Sequence, residues 1–232
     1  MAAVTIGTHS GTFHADESLA IFMLKTLPEY SNATIHRSRD PSVLEKCTIL
    51  VDVGAVYDPQ LLRFDHHQRS FNSTFSNKYT VKLSSAGLIY KHFGKRVLCE
   101  LLDWKENHPL LDKVYQLVYD ELILMFDAVD NGVSQYPDNV EPCYSDSTSI
   151  SDRVSRLNPS WNVSVGDQEL FERFLKAVEI TGEELVDKAR YIAFSWLPCR
   201  DLVFEALKKR KQYDESGRIV VLEQYCPWQS HL

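Results

Sequence analysis

The stretch CTILVDVG, residues 47–54, limits the fold of this chain more than any other feature. It is a continuous apolar run with several β-branched residues that ends at an aspartate and a glycine, as in a strand that is buried on both faces. Similar runs at residues 2–8 and 33–37 also predict strands, and residues 16–27 between them have the spacing of a helix. Apolar strands that alternate with helices predict an α/β fold, a mostly parallel sheet with helices on both faces.

The remainder of the chain is expected to be mainly helical. Residues 84–94 and 109–132 have helical patterns, the first closed by a glycine and the second by Asn-Gly. The last stretch, GRIVVLEQY at residues 217–225, has the composition of a strand. We therefore divide the chain into an α/β region, residues 1–135, and a mainly helical packing region, residues 136–232.

The net charge argues against one common mode of nucleic-acid binding. The 232 residues carry a formal charge of −7 at neutral pH, whereas proteins that bind nucleic acids through their overall charge are basic. Contact with a nucleic acid would need a local basic strip, or metal ions that reverse the sign of the charge at the site.

Cysteine usage and hydropathy set further limits. The five cysteines are odd in number, widely spaced and without a C-x-x-C pair, which indicates the reduced thiols of an intracellular protein. No apolar run approaches the roughly 20 residues of a membrane span, and the first residues lack the features of a targeting leader. We expect a protein of the cytoplasm or nucleus, with no membrane contact and no obligate protein partner.

Acidic and histidine residues collect at the ends of the predicted strands and helices, in four segments. These segments are HSGTFHADE after the first strand, the aspartate of ILVD, the triplet DHH near a short strand-like stretch, and FDAVDNG at the end of the long helix. Because ligands of such folds bind beyond the carboxyl ends of the strands, we expect these side chains to lie together. They are His9, His14, Asp16, Asp52, Asp65, His66, His67, Asp127 and Asp130.

A mixed set of carboxylates and imidazoles points to divalent metal ions. It suits Mn²⁺ or Mg²⁺, and Zn²⁺ less well. A carboxylate that bridges two ions roughly 3.5–4 Å apart is the apparatus of phosphoryl hydrolysis. The sequence therefore indicates a two-metal site for Mn²⁺ or Mg²⁺ that acts on phosphate esters.

Each residue taken alone also has a structural interpretation. Asp16 is well placed to be the N-cap of a helix, and Asp127 and Asp130 could both face solvent. The triplet at residues 65–67 is harder to explain structurally, because neighbouring residues of a strand point to opposite faces. The combination of all four segments favours a site.

The motifs resemble those of a known family. GTFHADE, ILVDVG and FDHHQRSF, in this order, resemble the DHH phosphoesterase superfamily. Together with KLSSAGLIY, DAVDNGVSQ, RVSRLNPSWN and SWLPCRDLV they resemble more closely the melanocyte proliferating gene protein family, over residues 4 to about 230. The resemblance implies a DHH-type catalytic region and a metal-dependent 3′–5′ exonuclease that processes single-stranded RNA in the nucleus and mitochondrion. It also implies a further carboxyl-terminal substrate domain, which we expect to lie outside this chain.

The resemblance further implies two metal ions that share one carboxylate, that of Asp52. The first ion would be bound by His9, His14 and Asp52. The second ion would be bound by Asp16, Asp52, His66 and Asp130.

The remaining polar residues would act on the substrate. His67 would face the phosphate or the leaving group, Asp65 would orient a histidine, and Asp127 is a further candidate ligand. Basic residues beside the acids, and a helix that begins at Ser84 or Ser85, are candidates to bind phosphate. The alternative for the basic residues is an ordinary solvated charge, and the alternative for the serines is that they only cap the helix. The candidate substrate-binding residues are Arg37, Arg39, Arg69, Ser84 and Ser85.

Two other functions remain open at this stage. The same metals could hydrolyse small phosphoanhydrides or short oligonucleotides, which the acidic composition favours. A metal-binding scaffold without turnover is the alternative from a different class.

Overall fold

Short strands form one five-stranded sheet in the first third of the chain, and β3, with the residues Ile-Leu-Val, is entirely apolar and buried. The computed structural model describes residues 3–137 and 139–232. The strand order is β2-β1-β3-β5-β4, and every pair is parallel except the antiparallel pair of β4 with β5. The strands are β1 Thr5–Thr8, β2 Thr34–Arg37, β3 Ile49–Val51, β4 Tyr57–Asp58 and β5 Arg63–Phe64.

Helices follow the strands and make up most of the second half. Two π-helical turns, Tyr119–Ile123 and Ile192–Trp196, join α4 to α5 and α7 to α8. Each pair of helices is therefore one continuous helical segment. The structure confirms the predicted α/β fold, with a mostly parallel sheet followed by a helical region. The helices are α1 Ala15–Thr26, α2 Pro41–Leu44, α3 Ser85–Leu102, α4 Leu111–Val118, α5 Leu124–Asp130, α6 Ile150–Ser155, α7 Asp167–Tyr191 and α8 Leu197–Tyr213.

The two faces of the sheet are covered very differently. Ile49 and Val51 of β3 belong to the main core, which α1 and α3 complete. Leu50 points the other way, since successive residues of a strand alternate, and packs in a separate small cluster with Leu44 of α2. Because α2 is only one turn long, this second face stays partly open beside the carboxyl ends of the strands.

Glycine at position 94 is not the end of its helix, which was the sequence prediction. Helix α3 continues to Leu102 and ends at Asp103, which has a left-handed φ of 54°. A Cβ at Gly94 would lie 2.8 Å from the ring of Tyr90 and 2.9 Å from that of Tyr115. The glycine therefore permits a close helix contact, a role that local sequence does not distinguish from a helix stop.

One strand prediction is wrong, whereas the strand-like stretch before the DHH triplet is a short strand. This strand is β5, which lies inside the sheet between β3 and β4. The terminal stretch at residues 217–225 contains no strand, and the prediction there is wrong. Most of its apolar residues, such as Ile219, are exposed, although Leu222 packs against a small cluster that includes Val203, and no strand of the described residues pairs with it. Residue 2 of the first predicted strand lies outside the described residues, and the regional boundary at residue 135 stays a prediction.

Helix α7 crosses α1 at a glycine, and this contact can be tested. In an open helix Gly182→Ala would add about 1 kcal/mol of stability, but here the methyl group would overlap the ring of Phe22. Overpacking of this kind costs about 1–3 kcal/mol. We expect Gly182→Ala to lower the free energy of unfolding, measured by urea denaturation.

The control is the same change in a Phe22→Ala background. With the ring removed, Gly182→Ala should become neutral or stabilising, which a double-mutant cycle would report as a coupling between the two sites. A single variant as stable as the parent would contradict the contact.

Candidate metal centre

Three strands deliver polar residues to the same edge of the sheet. His9 follows β1, Asp52 follows β3, and the triplet at residues 65–67 follows β5. These strands are parallel neighbours, so their carboxyl ends lie side by side. Asp52 has a left-handed φ of 56°, a conformation that aspartate tolerates better than most residues. The chain therefore turns at Asp52 as soon as it leaves the sheet.

Asp52 is the centre of the cluster. Its Oδ2 atom lies 3.3 Å from Nε2 of His9. Its Oδ1 atom lies 3.4 Å from Nε2 of His66 and 3.6 Å from Nδ1 of His67. Only 4% of the residue is exposed. One oxygen of this buried carboxylate thus faces His9, and the other faces His66 and His67.

Helix ends bring further carboxylates to the cluster. Asp16 and Glu17 belong to the first turn of α1, and Asp130 is the last residue of α5. Oδ2 of Asp130 lies 3.0 Å from Nε2 of His66. The cluster contains three groups of potential ligand residues, and within each group the ligand atoms all lie within 4.8 Å of one another. They are His9, His14, Glu17 and Asp52; Asp52, His66 and His67; and His14, Asp16 and Asp130.

Unpaired atoms support a metal ion at this edge. Oδ1 of Asp16, Oδ1 of Asp52 and Nε2 of His66 are buried and have no hydrogen-bond partner. Buried polar atoms are almost always satisfied, so such atoms call for an explanation. A bound cation would satisfy both carboxylate oxygens and the lone pair of the imidazole. The donor set therefore fits divalent ions.

The ring of His9 is held in an orientation suited to a ligand. Its Nδ1 atom lies 3.3 Å from the carbonyl oxygen of Ser10, and Arg39 donates to the same oxygen at 3.2 Å. A histidine that binds metal usually donates its second N–H to a carbonyl or carboxylate. Nη2 of Arg39 lies at the same distance from Nδ1, 3.3 Å, so Nδ1 can donate to Ser10 or accept from Arg39. In the tautomer that donates to Ser10, the Nε2 lone pair faces Asp52 and Glu17.

The electrostatics reflect a high density of negative charge. Burial opposes protonation of His9, but hydrogen bonds to Asp52 and Glu17 outweigh it and raise the pKa of His9 to about 10. His66 is similar, since Asp130 and Asp52 overcome burial and raise its pKa to about 10. Burial and the neighbouring carboxylates raise the pKa of Asp16 well above its usual value. These raised pKa values show that the cluster favours positive charge, which a bound divalent cation would supply.

His67 and Asp65 form a separate unit at the mouth of the cluster. Asp65 is buried, and its carboxylate accepts hydrogen bonds from the Ala55 N–H at 2.6 Å and from the His67 N–H at 3.1 Å. Its Oδ1 atom also lies 2.7 Å from Nδ1 of His67. The His67 side chain is 60% exposed, so Nε2 is free to meet a ligand. The geometry fits the roles implied by the resemblance, which stay predictions.

Glu17 is the residue that the sequence analysis missed. It is fully buried, its Oε1 atom lies 3.1 Å from Nε2 of His9, and it accepts the backbone N–H of His14 at 2.9 Å. A usable signal was present, because a glutamate at the third helical position commonly caps the start of its helix. That signal predicts a cap, and only the fold reveals the contact with His9.

The serines at the start of α3 hold carboxylates and do not face the clefts. Both are buried. Ser85 donates to Oδ2 of Asp16 at 2.6 Å, and Ser84 donates to Oδ1 of Asp127 at 2.8 Å. Tyr119 donates to the second oxygen of Asp127 at 2.8 Å. The structure thus gives both serines carboxylate partners, and their binding of substrate stays a prediction. Asp127 is not among the three groups of potential ligand atoms.

The three candidate arginines have different environments. Arg37 lies over the ring of Phe174 at 4.5 Å and donates to the carbonyl of Gly11, so it has a packing role. Arg39 contacts His9 and lines a cleft beside the cluster. Arg69 is exposed. Of the three, only Arg39 is placed directly beside the candidate centre.

Two clefts meet at the cluster, and His14 lines both. The larger, which we call the sheet cleft, has a volume of about 820 Å³ and extends over the open face of the sheet. The smaller, which we call the helix cleft, has a volume of about 370 Å³ and lies against α6. The helix cleft is lined by Phe13, His14, Ala15, Asp16, Phe126, Val129, Asp130, Ser151, Asp152 and Ser155.

The fold and the cluster define an α/β protein with a candidate centre for divalent metal ions at the carboxyl edge of its sheet. Residues 5–232 match the model of the family MYG1_exonuc, described as "Uncharacterised protein family (UPF0160)". The chain belongs to this family, which confirms the closer of the two resemblances. The wider DHH superfamily assignment stays a prediction.

Relatives in distant eukaryotes support the same assignment. The chain is 50% identical to "MYG1 protein" of Dictyostelium discoideum over 232 residues, which is all of this chain and 70% of the relative. It is 48% identical to "MYG1 exonuclease" of Homo sapiens and 47% identical to that of Mus musculus, in each case over all of this chain and 62% of the relative. The chain therefore spans about two thirds of the length of these relatives. No solved structure matches it.

One property relevant to location can be read from the helices. Among residues 3–137 and 139–232, none of the helices has both the length and the apolar character needed to cross a membrane.

Metal binding should depend on the shared carboxylate. Asp52→Asn keeps the size of the side chain and the tolerance for a left-handed φ, but it removes the charge. We expect Mn²⁺ bound after dialysis, counted by elemental analysis, to fall from about two ions per chain to one or none. Asp112→Asn, at a surface position of α4 with a side chain 84% exposed, is the control and should bind as the parent does. Equal binding by all three proteins would contradict the centre.

The paired serines allow a finer test. Ser85→Ala removes a hydrogen bond to Asp16, and such supporting contacts are worth about 10–100-fold in metal affinity. Ser84→Ala removes the cap of the same helix, at a cost of about 1 kcal/mol in stability, but leaves the contacts of Asp16 intact. We expect calorimetry to show weaker Mn²⁺ binding only for Ser85→Ala. An equal loss in both variants would mean that the helix as a whole, and not the Ser85 hydroxyl, supports the ligand.

Proposed function

We propose that this protein is a metal-dependent phosphodiesterase, a 3′–5′ exonuclease that acts on single-stranded RNA. The observation that carries the proposal is the buried carboxylate of Asp52, whose two oxygens face different histidines at the edge of the sheet. A carboxylate in this position is suited to bridge two ions. Two of the mammalian relatives carry the name exonuclease, which supports nuclease chemistry.

The proposed metal ions explain how an acidic protein acts on a polyanion. Residues His9, His14 and Asp52 would hold one ion, and the second would be held by Asp16, Asp52, His66 and Asp130. Two divalent ions would supply an activated water and offset the negative charge of the phosphate. A set of carboxylates and imidazoles suits Mn²⁺ or Mg²⁺. We place the chain in the DHH phosphoesterase superfamily on this basis.

The residues of the chain would divide the remaining work. His67 has its Nδ1 atom tied to Asp65, so its Nε2 atom faces the cleft and can exchange a proton or a hydrogen bond with the phosphate or the leaving group. Arg39 lines the same cleft and adds a positive charge. None of these steps needs a nucleophilic side chain. We expect the protein in the nucleus and cytoplasm, and the family resemblance adds the mitochondrion.

A second candidate function keeps the centre and changes the substrate. The sheet cleft, at about 820 Å³, has the size of a small-molecule site, and the net charge of −7 disfavours long polyanions. Small phosphoanhydrides or short oligonucleotides would fit both facts. A binding function without turnover is the third reading.

The decisive assay offers labelled RNA to the metal-loaded chain. Single-stranded RNA labelled at the 3′ or at the 5′ end would be incubated with Mn²⁺ and the parent protein, Asp52→Asn or Asp112→Asn. We expect the parent and Asp112→Asn to release mononucleotides from the 3′ end, and Asp52→Asn to be inactive. Intact RNA with turnover of pyrophosphate or dinucleotides would favour the second function. Bound metal without any turnover would favour the third.

His67 provides a test that separates chemistry from metal binding. Loss of a positioned acid or base typically costs about 10²–10⁴-fold in rate, whereas the ring of His67 is mostly exposed and contributes little to the core. We expect His67→Ala to lower kcat within that range while the Mn²⁺ content stays unchanged. His36→Ala, at an exposed position of β2, is the matched control. A variant with full kcat would remove His67 from the mechanism.

A further inference from the structure

The sheet cleft has an apolar floor that the chemistry of the metal centre does not use. Leu44 of α2 and Leu50 of β3 form this floor together with Val53. Val56 and Leu61 stand at its walls and are 44% and 62% exposed. Side chains of this kind on a surface usually mark a place where a ligand or partner binds.

The same turn of chain forms the wall of the cleft and part of the metal centre. Asp52, Gly54 and Ala55 all have positive φ values, of 56°, 98° and 53°. For a non-glycine residue this conformation is costly, and it tends to persist at functional sites. The Ala55 N–H is bound to Asp65. The hydrogen bond between Ala55 and Asp65 therefore holds the neighbouring Val56 close to the carboxylates, so one ligand can contact the apolar wall and the metal centre together.

Two arginines, Arg39 and Arg63, are among the lining residues of this cleft. Arg39 donates to the carbonyl of Ser10 at 3.2 Å, and Arg63 donates to the carbonyl of Leu61 at 2.9 Å. Carbonyl oxygens accept these hydrogen bonds without cancelling the charges of the guanidinium groups. The lining of the sheet cleft also contains three carboxylates, Glu45, Asp52 and Asp65. The helix cleft is lined by Asp16, Asp130 and Asp152 with no lysine or arginine beside them, so of the two clefts the sheet cleft is the one that combines carboxylates with positive charge.

We propose that the sheet cleft binds the base and sugar of the nucleotide whose phosphate lies at the metal centre. A matching ligand has an apolar part for the exposed side chains of Val56 and Leu61, and an anionic end for the centre. A nucleotide has both in one molecule, and the volume of about 820 Å³ is within the range of small-ligand sites. This inference rests on the proposed function and adds a specificity element to it.

Two ligands that differ only in the base test the proposal. Binding of adenosine 5′-monophosphate and of ribose 5-phosphate to the Mn²⁺-loaded chain would be compared by calorimetry. We expect the nucleotide to bind at least about tenfold more tightly, because the base removes apolar surface of the cleft from water. Equal affinities in the parent protein would overturn the proposal.

The variant that tests the location is Val56→Ala combined with Leu61→Ala. Both side chains are largely exposed, so truncation leaves the core intact, and the tenfold advantage of the nucleotide should fall to about twofold. The control combines Val163→Ala with Leu202→Ala, two residues with 49% and 39% exposure outside the lining of the cleft. A preference for the nucleotide that survives in the cleft variant, or disappears in the control, would place the base elsewhere and overturn the proposal.

The outcome can be separated from that of the proposed function. The binding measurement requires no turnover. If the affinity depends on the base but the chain leaves RNA intact, the exonuclease hypothesis is rejected and the base-binding pocket is supported. If the chain trims RNA but binds both ligands equally, the exonuclease hypothesis is supported and the base-binding pocket is rejected.

Discussion

The burial of the Asp52 carboxylate is the constraint on which the rest of this structure depends. A charge with 4% exposure is costly to desolvate unless opposite charges and hydrogen bonds surround it. Three histidines face its oxygens, and further carboxylates lie in the same volume, so protons or cations are needed there to offset the negative charge. His9, Asp52 and His66 lie within reach of one another because each follows one of three neighbouring parallel strands, whose carboxyl ends meet at the same edge of the sheet.

The helical packing serves the same centre. Helix α1 packs against α3, and the start of each helix contributes to the carboxylates at the edge. Ser85 of α3 fixes one oxygen of Asp16 and leaves the other unpaired, while Ser84 and Tyr119 satisfy Asp127 completely. Two adjacent serines thus bond to two carboxylates, one of which keeps an unpaired oxygen while the other has both oxygens hydrogen-bonded.

Sequence alone predicted the parts that rest on local patterns. The continuous apolar run of β3 predicted a buried strand, and polar residues after strands predicted an edge rich in ligands, as the structure has it. Gly94 and the stretch at residues 217–225 were misread, because a close helix contact and the lack of a partner strand are properties of the tertiary fold. Glu17 and Ser85 belong to the same class, since each has an adequate local explanation as a residue at a helix start. Their second contacts, with His9 and Asp16, join segments far apart in sequence.

The uneven cover of the sheet connects the fold to the proposed chemistry. Leu44 and Leu50 are buried against each other on this face of the sheet, and a long helix there would cover the cleft above them and leave only the edge for a ligand. Here α2 is a single turn, and the cleft beside the candidate metal centre keeps two exposed apolar side chains, those of Val56 and Leu61. Divalent ions alone would attract any phosphate, and they carry no information about what is attached to it. Discrimination between a nucleotide and a simple phosphate must come from surface that contacts the rest of the molecule. The open face of the sheet is the surface beside the centre that has the shape, the apolar floor and the flanking arginines to provide it.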